Sequence, residues 1–363
     1  MNWFDKVLSR PLKRLVFAAV TIAAVVVVYL ASVLSSHLTP GNRTYVVTPG
    51  MTLHEFLAML HQQHVIPDPY SLLLVAHIEG RSRSLQSGEY QFRPGITPLG
   101  LLDQILSGKT VEYPVTIEEG WTFKQVMERL DSAPKLTHDL AGLTPAQIMK
   151  RLGHPGVSPE GRFYPDTYYY SLGTSDVTIL EHAYDRMQNL LSSDWAKRAP
   201  ELPLKRPEQA LILASLIEKE TADPNERARI AGVFINRLRL GMKLQTDPTV
   251  IYAMGARYHG VIHLRDLQIR SPYNTYLHHG LPPTPIALPG PADLEAALHP
   301  AATKALFFVA RGNGTHQFSD TLREQDAAVI KYELHGRQIH RAVRARPRPA
   351  INAGSGGTPV RRP

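Results

Sequence analysis

Hydrophobic positions run without interruption only near the start of the chain. Residues 15–34 (LVFAAVTIAAVVVVYLASVL) carry no charge. As a helix they would cover roughly 30 Å, the hydrocarbon thickness of a bilayer. Pro11 stands just before them, where a helix start tolerates proline. Beyond this run the pattern breaks into short amphipathic pieces. Three times a Gly turn followed by Thr leads into helical periodicity: Pro49-Gly50-Met51-Thr52 before 54–60, Pro94-Gly95-Ile96-Thr97 before 99–106, and Glu119-Gly120-Trp121-Thr122 before 124–130. Each predicts a strand, a turn and an N-capped helix. Glu55, three residues after Thr52, completes a capping box. The unequal spacing marks a reused supersecondary unit rather than a solenoid.

Helical patterns dominate from Thr178 to Leu191 and from Pro207 onward. Pro207 and Glu208 fit a helix start, and Ala210 to Ile217 is apolar on every side, the signature of a buried helix. Asp223-Pro224-Asn225-Glu226 reads as a capping box that opens a second helix. Ile230, Val233, Phe234 and Leu238 form its apolar face, and Gly241 is its stop. Asp247-Pro248 opens a further short helix that ends at Gly255. Residues 271–290 are too rich in proline for helix or central strand and predict a stiff polar and aromatic loop. Gly312-Asn313-Gly314 predicts a turn into a strand with His316 and Phe318 on one side. The fold class expected is α+β.

The chain has 363 residues, 43% hydrophobic and 20% charged, which predicts a globular protein of about two domains. Part of the net charge of +8 lies in residues 6–14 and 341–362. No basic stripe with interleaved aromatics is present, so no nucleic-acid partner is expected. The absence of cysteine excludes disulfides, Cys-based zinc sites and thiol nucleophiles. Lys6, Arg10, Lys13 and Arg14 precede the apolar run and the next Lys or Arg is Arg43, so the N-terminus is expected in the cytoplasm and the rest outside. A cleaved signal peptide is the alternative, although its apolar region is usually shorter. The expected organisation is a cytoplasmic tail (1–14), a transmembrane helix (15–34), a linker (35–43), a small subdomain (44–110), a mixed helix/sheet catalytic domain (111–340) and a disordered basic tail (341–363).

Glu218 is the candidate for chemistry. It continues the face of Leu211, Ala214 and Ser215, and the two small residues leave room beside its carboxyl. An apolar surrounding disfavours the charged form and raises the pKa, as a general acid near neutrality requires. Glu220 falls about 200° around the helix, which excludes it as a partner from the same helix. Periodicity alone also admits Glu218 as a solvent-facing residue or an arginine's partner. His259 and His263 are spaced i, i+4, but Gly260 breaks the helix and no metal site is expected.

Several long motifs carry a resemblance. Ile217-Glu-Lys-Glu-Thr221, Gly241-Met-Lys-Leu-Gln-Thr-Asp-Pro-Thr-Val-Ile-Tyr252, Ser271-Pro-Tyr-Asn-Thr-Tyr276 and Gly280-Leu-Pro-Pro-Thr-Pro-Ile286 resemble the MltG (YceG-like) endolytic murein transglycosylases. Residues 160–168 and His316-Gln-Phe-Ser319 match as well. A departure is Pro289, where the family often has Asn before the Gly. Tyr45-Val-Val-Thr-Pro-Gly-Met-Thr-Leu53 resembles the start of a LysM module, two helices on a two-stranded sheet, read either as a glycan binder or as a packing subdomain.

The resemblance implies a lyase that cuts between N-acetylmuramic acid and N-acetylglucosamine within a glycan strand and leaves a 1,6-anhydro end. It implies a single catalytic carboxyl, Glu218, with no cofactor and no metal. Its substrate contacts would include Gln245, Thr246 and Asn274 as hydrogen-bonding groups. Tyr273 and Tyr276 would be stacking rings, or core. Asp247 would contact sugar, or cap the helix before Pro248. It further implies a bacterial inner-membrane protein with a periplasmic catalytic domain, working on peptidoglycan strands beside the synthesis machinery. A hydrolytic muramidase with Asp247 or Asp266 as base, and a non-catalytic wall-binding scaffold, are the alternatives.

Overall fold

The computed structural model describes residues 10–334. The expected basic tail and most of the cytoplasmic tail lie outside them. Helix α1 (Arg10–Ser35) contains the apolar run, and its stretch Arg14–Ser35 has a mean hydropathy of 2.6, long and apolar enough to cross a membrane. Phe17 and Val28 are 75% and 69% exposed, a surface that water penalises and lipid does not.

Two compact units follow from the contacts among the described residues. The first holds residues up to 118 together with 123–159 and 165–185; the second holds 119–122, 160–164 and the chain from 186 on. The expected linker is not free in the first unit. Leu38 is 5% exposed, donates from its N–H to Ile96 O (2.9 Å) and accepts from Gly95 N (2.8 Å).

The first unit continues with β1 (Thr44–Val47), α2 (Leu53–Gln62), α3 (Pro69–Ile78), β2 (Gly88–Gln91) and α4 (Pro98–Leu106). β1 and β2 are antiparallel, from Thr44 opposite Gln91 to Val47 opposite Gly88. Thr52 and Glu55 form the expected capping box, and Thr97 caps α4. Tyr45, Phe56, Leu60, Leu72, Tyr90, Leu101 and Ile105 fill one core under this β-α-α-β arrangement and α4.

β3 (Glu112–Thr116), α5 (Phe123–Asp131), α6 (Pro145–Arg151) and β4 (Thr167–Ser171) complete the unit with the start of α7 (Asp176–Lys197). β3 and β4 form a second antiparallel pair. The compact division therefore falls elsewhere than the expected boundary at 110/111, and Glu89 on β2 gives a physical reason. It is 3% exposed and accepts from the Tyr113 hydroxyl and from Lys135 Nζ (3.1 Å). The Tyr113 hydrogen bond is the largest influence holding Glu89 below the ordinary carboxylate range, and the same bond pushes Tyr113 up to about 12.

The second unit is built from α8 (Pro207–Glu220), α9 (Arg227–Arg239), α10 (Asp247–Met254), α11 (Pro291–Leu298), β5 (Phe307–Ala310), β6 (His316–Ser319) and α12 (Leu322–Tyr332). Residues 210–217 of α8 are all buried, as their apolar character on every side requires. α9, α10 and α11 pack around α8, and β5 pairs antiparallel with β6. The second helix starts later than expected, at Arg227 rather than at Asp223. Asp223 uses its carboxylate on Asn225 N (2.9 Å), while the Glu226 carboxylate accepts from His316 N (2.9 Å) and faces His316 Nδ1 at 2.7 Å. A glutamate committed to another strand cannot close a capping box.

Gly232 lets α9 approach residues 301–303. A Cβ there would lie 2.6 Å from Ala301 O and 2.8 Å from Thr303 Cγ2. Gly232→Ala is expected to lower stability by about 1–3 kcal/mol despite its better helix propensity, because a backbone carbonyl must shift. Urea unfolding of the variant reads this directly.

Candidate active site

Glu218 lies in the last turn of α8. The helix ends at Glu220, and Thr221 is extended (φ −144°, ψ 138°) with its N–H on Ile217 O (3.3 Å). The small Ser215 serves a different purpose from the one expected. Its hydroxyl donates to Ile212 O (2.7 Å) and accepts from Ile286 N (3.1 Å), which fixes the proline-rich loop against α8.

Two further carboxyl groups meet Glu218. Asp293, in the first turn of α11, is fully buried, and Glu119 is exposed. One oxygen from each of Glu119, Glu218 and Asp293 lies within 4.8 Å of the others. Asp293 accepts from Gly290 N (3.1 Å). Arg227, the first residue of α9, places Nη2 3.8 Å from Glu218 Oε2 and Nε 2.9 Å from Asp293 Oδ1. The latter two atoms are buried without hydrogen-bond geometry, so they attract as charges only.

Residues 119–122 are clamped beside this group. Gly120 N donates to Leu288 O (2.8 Å), Leu288 N donates to Trp121 O (2.7 Å), and Lys219 Nζ donates to Gly120 O (3.2 Å). Gly120 has φ +75°, and a Cβ on it would stand 2.8 Å from Glu218 Oε1. Glycine alone meets both demands, the left-handed backbone and the approach to the carboxyl.

The Glu218 side chain is 14% exposed. Burial first, then the hydrogen bond to Asp293 and the negative charges of Asp293 and Glu119, push its pKa up to about 8 against the pull of Arg227. Burial also raises Asp293, opposed by the hydrogen bond from Glu218 and by Arg227. The pair therefore holds a proton through neutral pH. These three carboxylates could in principle surround a cation. With Arg227 already on two of them, we read the cluster as proton-sharing.

Glu218 opens onto a depression of about 330 Å³ lined also by Lys219, Glu220, Thr221, Ala222 and Arg227. Glu220 thus shares the depression, contrary to the angular argument from the helix wheel. The helix stops there, so no following turn screens one side chain from the other. Glu220 accepts from the Thr246 hydroxyl, and burial brings its pKa up to about 7.

The structure places the other expected site residues in two adjoining segments. Gln245 is exposed and has φ +50°, a left-handed conformation that non-glycine residues rarely hold. Thr246 is 2% exposed, with its N–H on Thr275 Oγ1 (3.1 Å) and its hydroxyl on Glu220. Asp247 is exposed, begins α10 rather than capping it, and accepts from the Tyr276 hydroxyl. Tyr273 bonds Thr284 Oγ1 (2.9 Å) and packs on Tyr252, ring centres 4.8 Å apart. Asn274 is fully buried; its Nδ2 donates to Leu267 O (3.0 Å) and Ile269 O (2.9 Å), and its Oδ1 accepts from Tyr276 N (2.9 Å). Thr246 and Asn274 therefore shape the loop instead of offering free polar atoms to a ligand. Tyr252 donates to Glu160 Oε2 (3.0 Å), which ties in the segment 160–164.

Sequence reasoning missed Asp293, Arg227 and Glu119. Asp293 has the position of an ordinary acid in the first turn of a proline-opened helix, Arg227 that of an ordinary helix-start residue. Only the spatial approach distinguishes them.

A half-buried carboxyl held protonated near neutrality, open to a polar depression, has the chemistry that a general acid–base requires. The chain belongs to the YceG-like family, whose model matches residues 45–331. It is 31% identical over 306 residues to the endolytic murein transglycosylase of Bacillus subtilis, covering 79% of this chain and 83% of that protein. It is 28% identical over 282 residues to the endolytic murein transglycosylase of Streptococcus pneumoniae, covering 68% of this chain and 51% of that protein. A solved structure of a yceG-like protein from Listeria monocytogenes is 27% identical, with a TM-score of 0.49 and coverage of 79% of this chain and 98% of that one.

Proposed function

We propose that this protein is an endolytic murein transglycosylase, a lyase that cuts peptidoglycan strands between N-acetylmuramic acid and N-acetylglucosamine and leaves 1,6-anhydro ends. The observation that carries this reading is Glu218, protonated near neutrality on an open depression, in a chain of this family. Glu218 gives its proton to the glycosidic oxygen as the bond to C1 breaks. Its carboxylate then takes the proton of the C6 hydroxyl as that oxygen bonds C1. General acid–base catalysis of this kind contributes roughly 10²–10⁴-fold, and holding the internal nucleophile in line supplies much of the rest.

The surroundings of Glu218 support one working carboxyl: Asp293, beside it, is fully buried and paired with Arg227. Asp247 accepts from the Tyr276 hydroxyl and Asp266 from His263 N (2.8 Å), and neither lines the depression at Glu218.

Gln245, exposed and strained, and the Asp247–Tyr276 pair are our candidates for sugar contact, with Tyr273 as their support. The β-α-α-β arrangement of residues 44–91 is read as LysM-like. Helix α1 is read as a single-pass anchor with its N-terminus in the cytoplasm and both units outside, next to the synthesis machinery that makes the strands.

Digestion of purified peptidoglycan by the full chain in detergent tests the reaction. Fragments one water lighter than hydrolysis products, with anhydro ends, are expected by mass spectrometry. Reducing ends would make the protein a muramidase and sink the single-carboxyl account. No cleavage would leave a wall-binding scaffold.

A further inference from the structure

We propose that Asp293, seconded by Glu119, is a positioning residue that keeps the reacting proton on Glu218 and returns Glu218 to its protonated form in each cycle. The inference rests on the assignment of Glu218 as acid and base and concerns how one carboxyl performs both roles.

The geometry supports it from three sides. α11 brings Asp293 to Glu218, and Gly290 N fixes one Asp293 oxygen at 3.1 Å. The other oxygen, Oδ1, is buried against the Arg227 guanidinium, and the Asp293 carboxyl shares a hydrogen bond with Glu218. The start of α9 brings Arg227 to 2.9 Å from Asp293 and 3.8 Å from Glu218. The segment 119–122 brings Glu119, and Lys219 on α8 itself directs its ammonium to Gly120 O (3.2 Å). The charged groups facing Glu218 are therefore two carboxylates and one guanidinium. Arg227 lies closer to Asp293 than to Glu218, so Asp293 is the better anion of the pair and Glu218 the better proton holder.

This division makes the cycle self-restoring. Before reaction the proton lies on Glu218 and the negative charge on Asp293, balanced by Arg227. When Glu218 passes its proton to the leaving oxygen, two carboxylates face each other in a buried place. Their repulsion makes Glu218 a stronger base at the moment when the C6 hydroxyl must lose its proton. That proton goes to Glu218 as the C6 oxygen bonds C1. The proton count of the site is unchanged, and Asp293 touches neither sugar.

The test is the pH dependence of kcat/KM of the full chain on purified peptidoglycan. Wild-type activity falls on the alkaline side as Glu218 loses its proton. In Asp293→Asn this alkaline limb is expected to move to lower pH by about one unit or more, because the like charge is gone. Asp293→Glu, which keeps the charge, is expected to restore the limb. Glu119→Gln, at an exposed position, is expected to move it the same way by less. A uniform loss of activity in Asp293→Asn with the limb in place would show a merely structural role and overturn the proposal. If Asp293→Asn does not fold, an unmoved limb in Glu119→Gln overturns it. Glu218→Gln separates the two assignments. If that variant still cleaves, the assignment of Glu218 fails. If it is inert while the limbs stay in place, only the present inference fails.

Discussion

Replacing Glu218 with glutamine lowers glycan cleavage by at least about 10²-fold and makes the folded protein more resistant to heat. The loss of activity follows from the chemistry. Glutamine fills the same space and still faces the depression, but it can neither give nor take a proton. The gain in stability follows from the environment. Glu218 is 14% exposed, and its pKa rises from an ordinary value near 4.5 to about 8. A group raised in this way favours the fold fully below its unfolded value, and the benefit is lost as pH rises through the folded value. Wild-type protein therefore loses stability between about pH 4.5 and pH 8, where the unfolded chain has released a proton that the folded one retains. Glutamine does not titrate. The difference in Tm between variant and wild type is expected to widen from pH 5 to pH 8 and then level off. A variant equally stable at all pH values would mean that the carboxyl is not held protonated, whatever its activity.

Arg237→Leu is the second large effect, and it concerns the fold. Arg237 is 7% exposed on α9 and donates to Leu306 O (2.6 Å), Leu244 O (2.7 Å) and Lys243 O (3.1 Å). Those carbonyls belong to the entry of β5 and to the stretch before Gln245. Leucine preserves apolar bulk but leaves three acceptors without this donor, one at a buried position and two at partly buried ones. Each such group costs on the order of 1–3 kcal/mol, so a total of about 3 kcal/mol or more is expected. Arg237 also opposes the rise in the pKa of Glu220. Urea unfolding measures the loss. A change below about 0.5 kcal/mol, the usual range for a surface site, would show that water replaces the guanidinium without penalty.

The parts of this protein legible in its sequence are those decided locally. Thr52 with Glu55, Pro207 with the apolar run to Ile217, and Gly241 and Gly255 each fix a helix end through their own backbone or a neighbour three residues away. Glu226 shows the limit of that reasoning. Its spacing from Asp223 satisfies a capping box, yet a strand ninety residues later claims its carboxylate. The site divides in the same way. Glu218 is visible because its helix is buried around it, whereas Asp293 and Arg227 become its neighbours only when three helices pack. Asn274 and Thr246 look like ligand groups because they are polar and lie in long motifs. Their amide and hydroxyl are consumed in holding the loops, a fate that depends on the loops' closure.

The burial of Leu38 has a consequence for the joint between α1 and the first unit. It is anchored in the first unit's core only three residues after the end of α1 at Ser35. The helix also packs on α3 and α4, with Leu34 against the same core. Helix and unit therefore meet through a short packed joint, not a free tether. Inserting a long flexible segment between Ser35 and Leu38 would turn that joint into one.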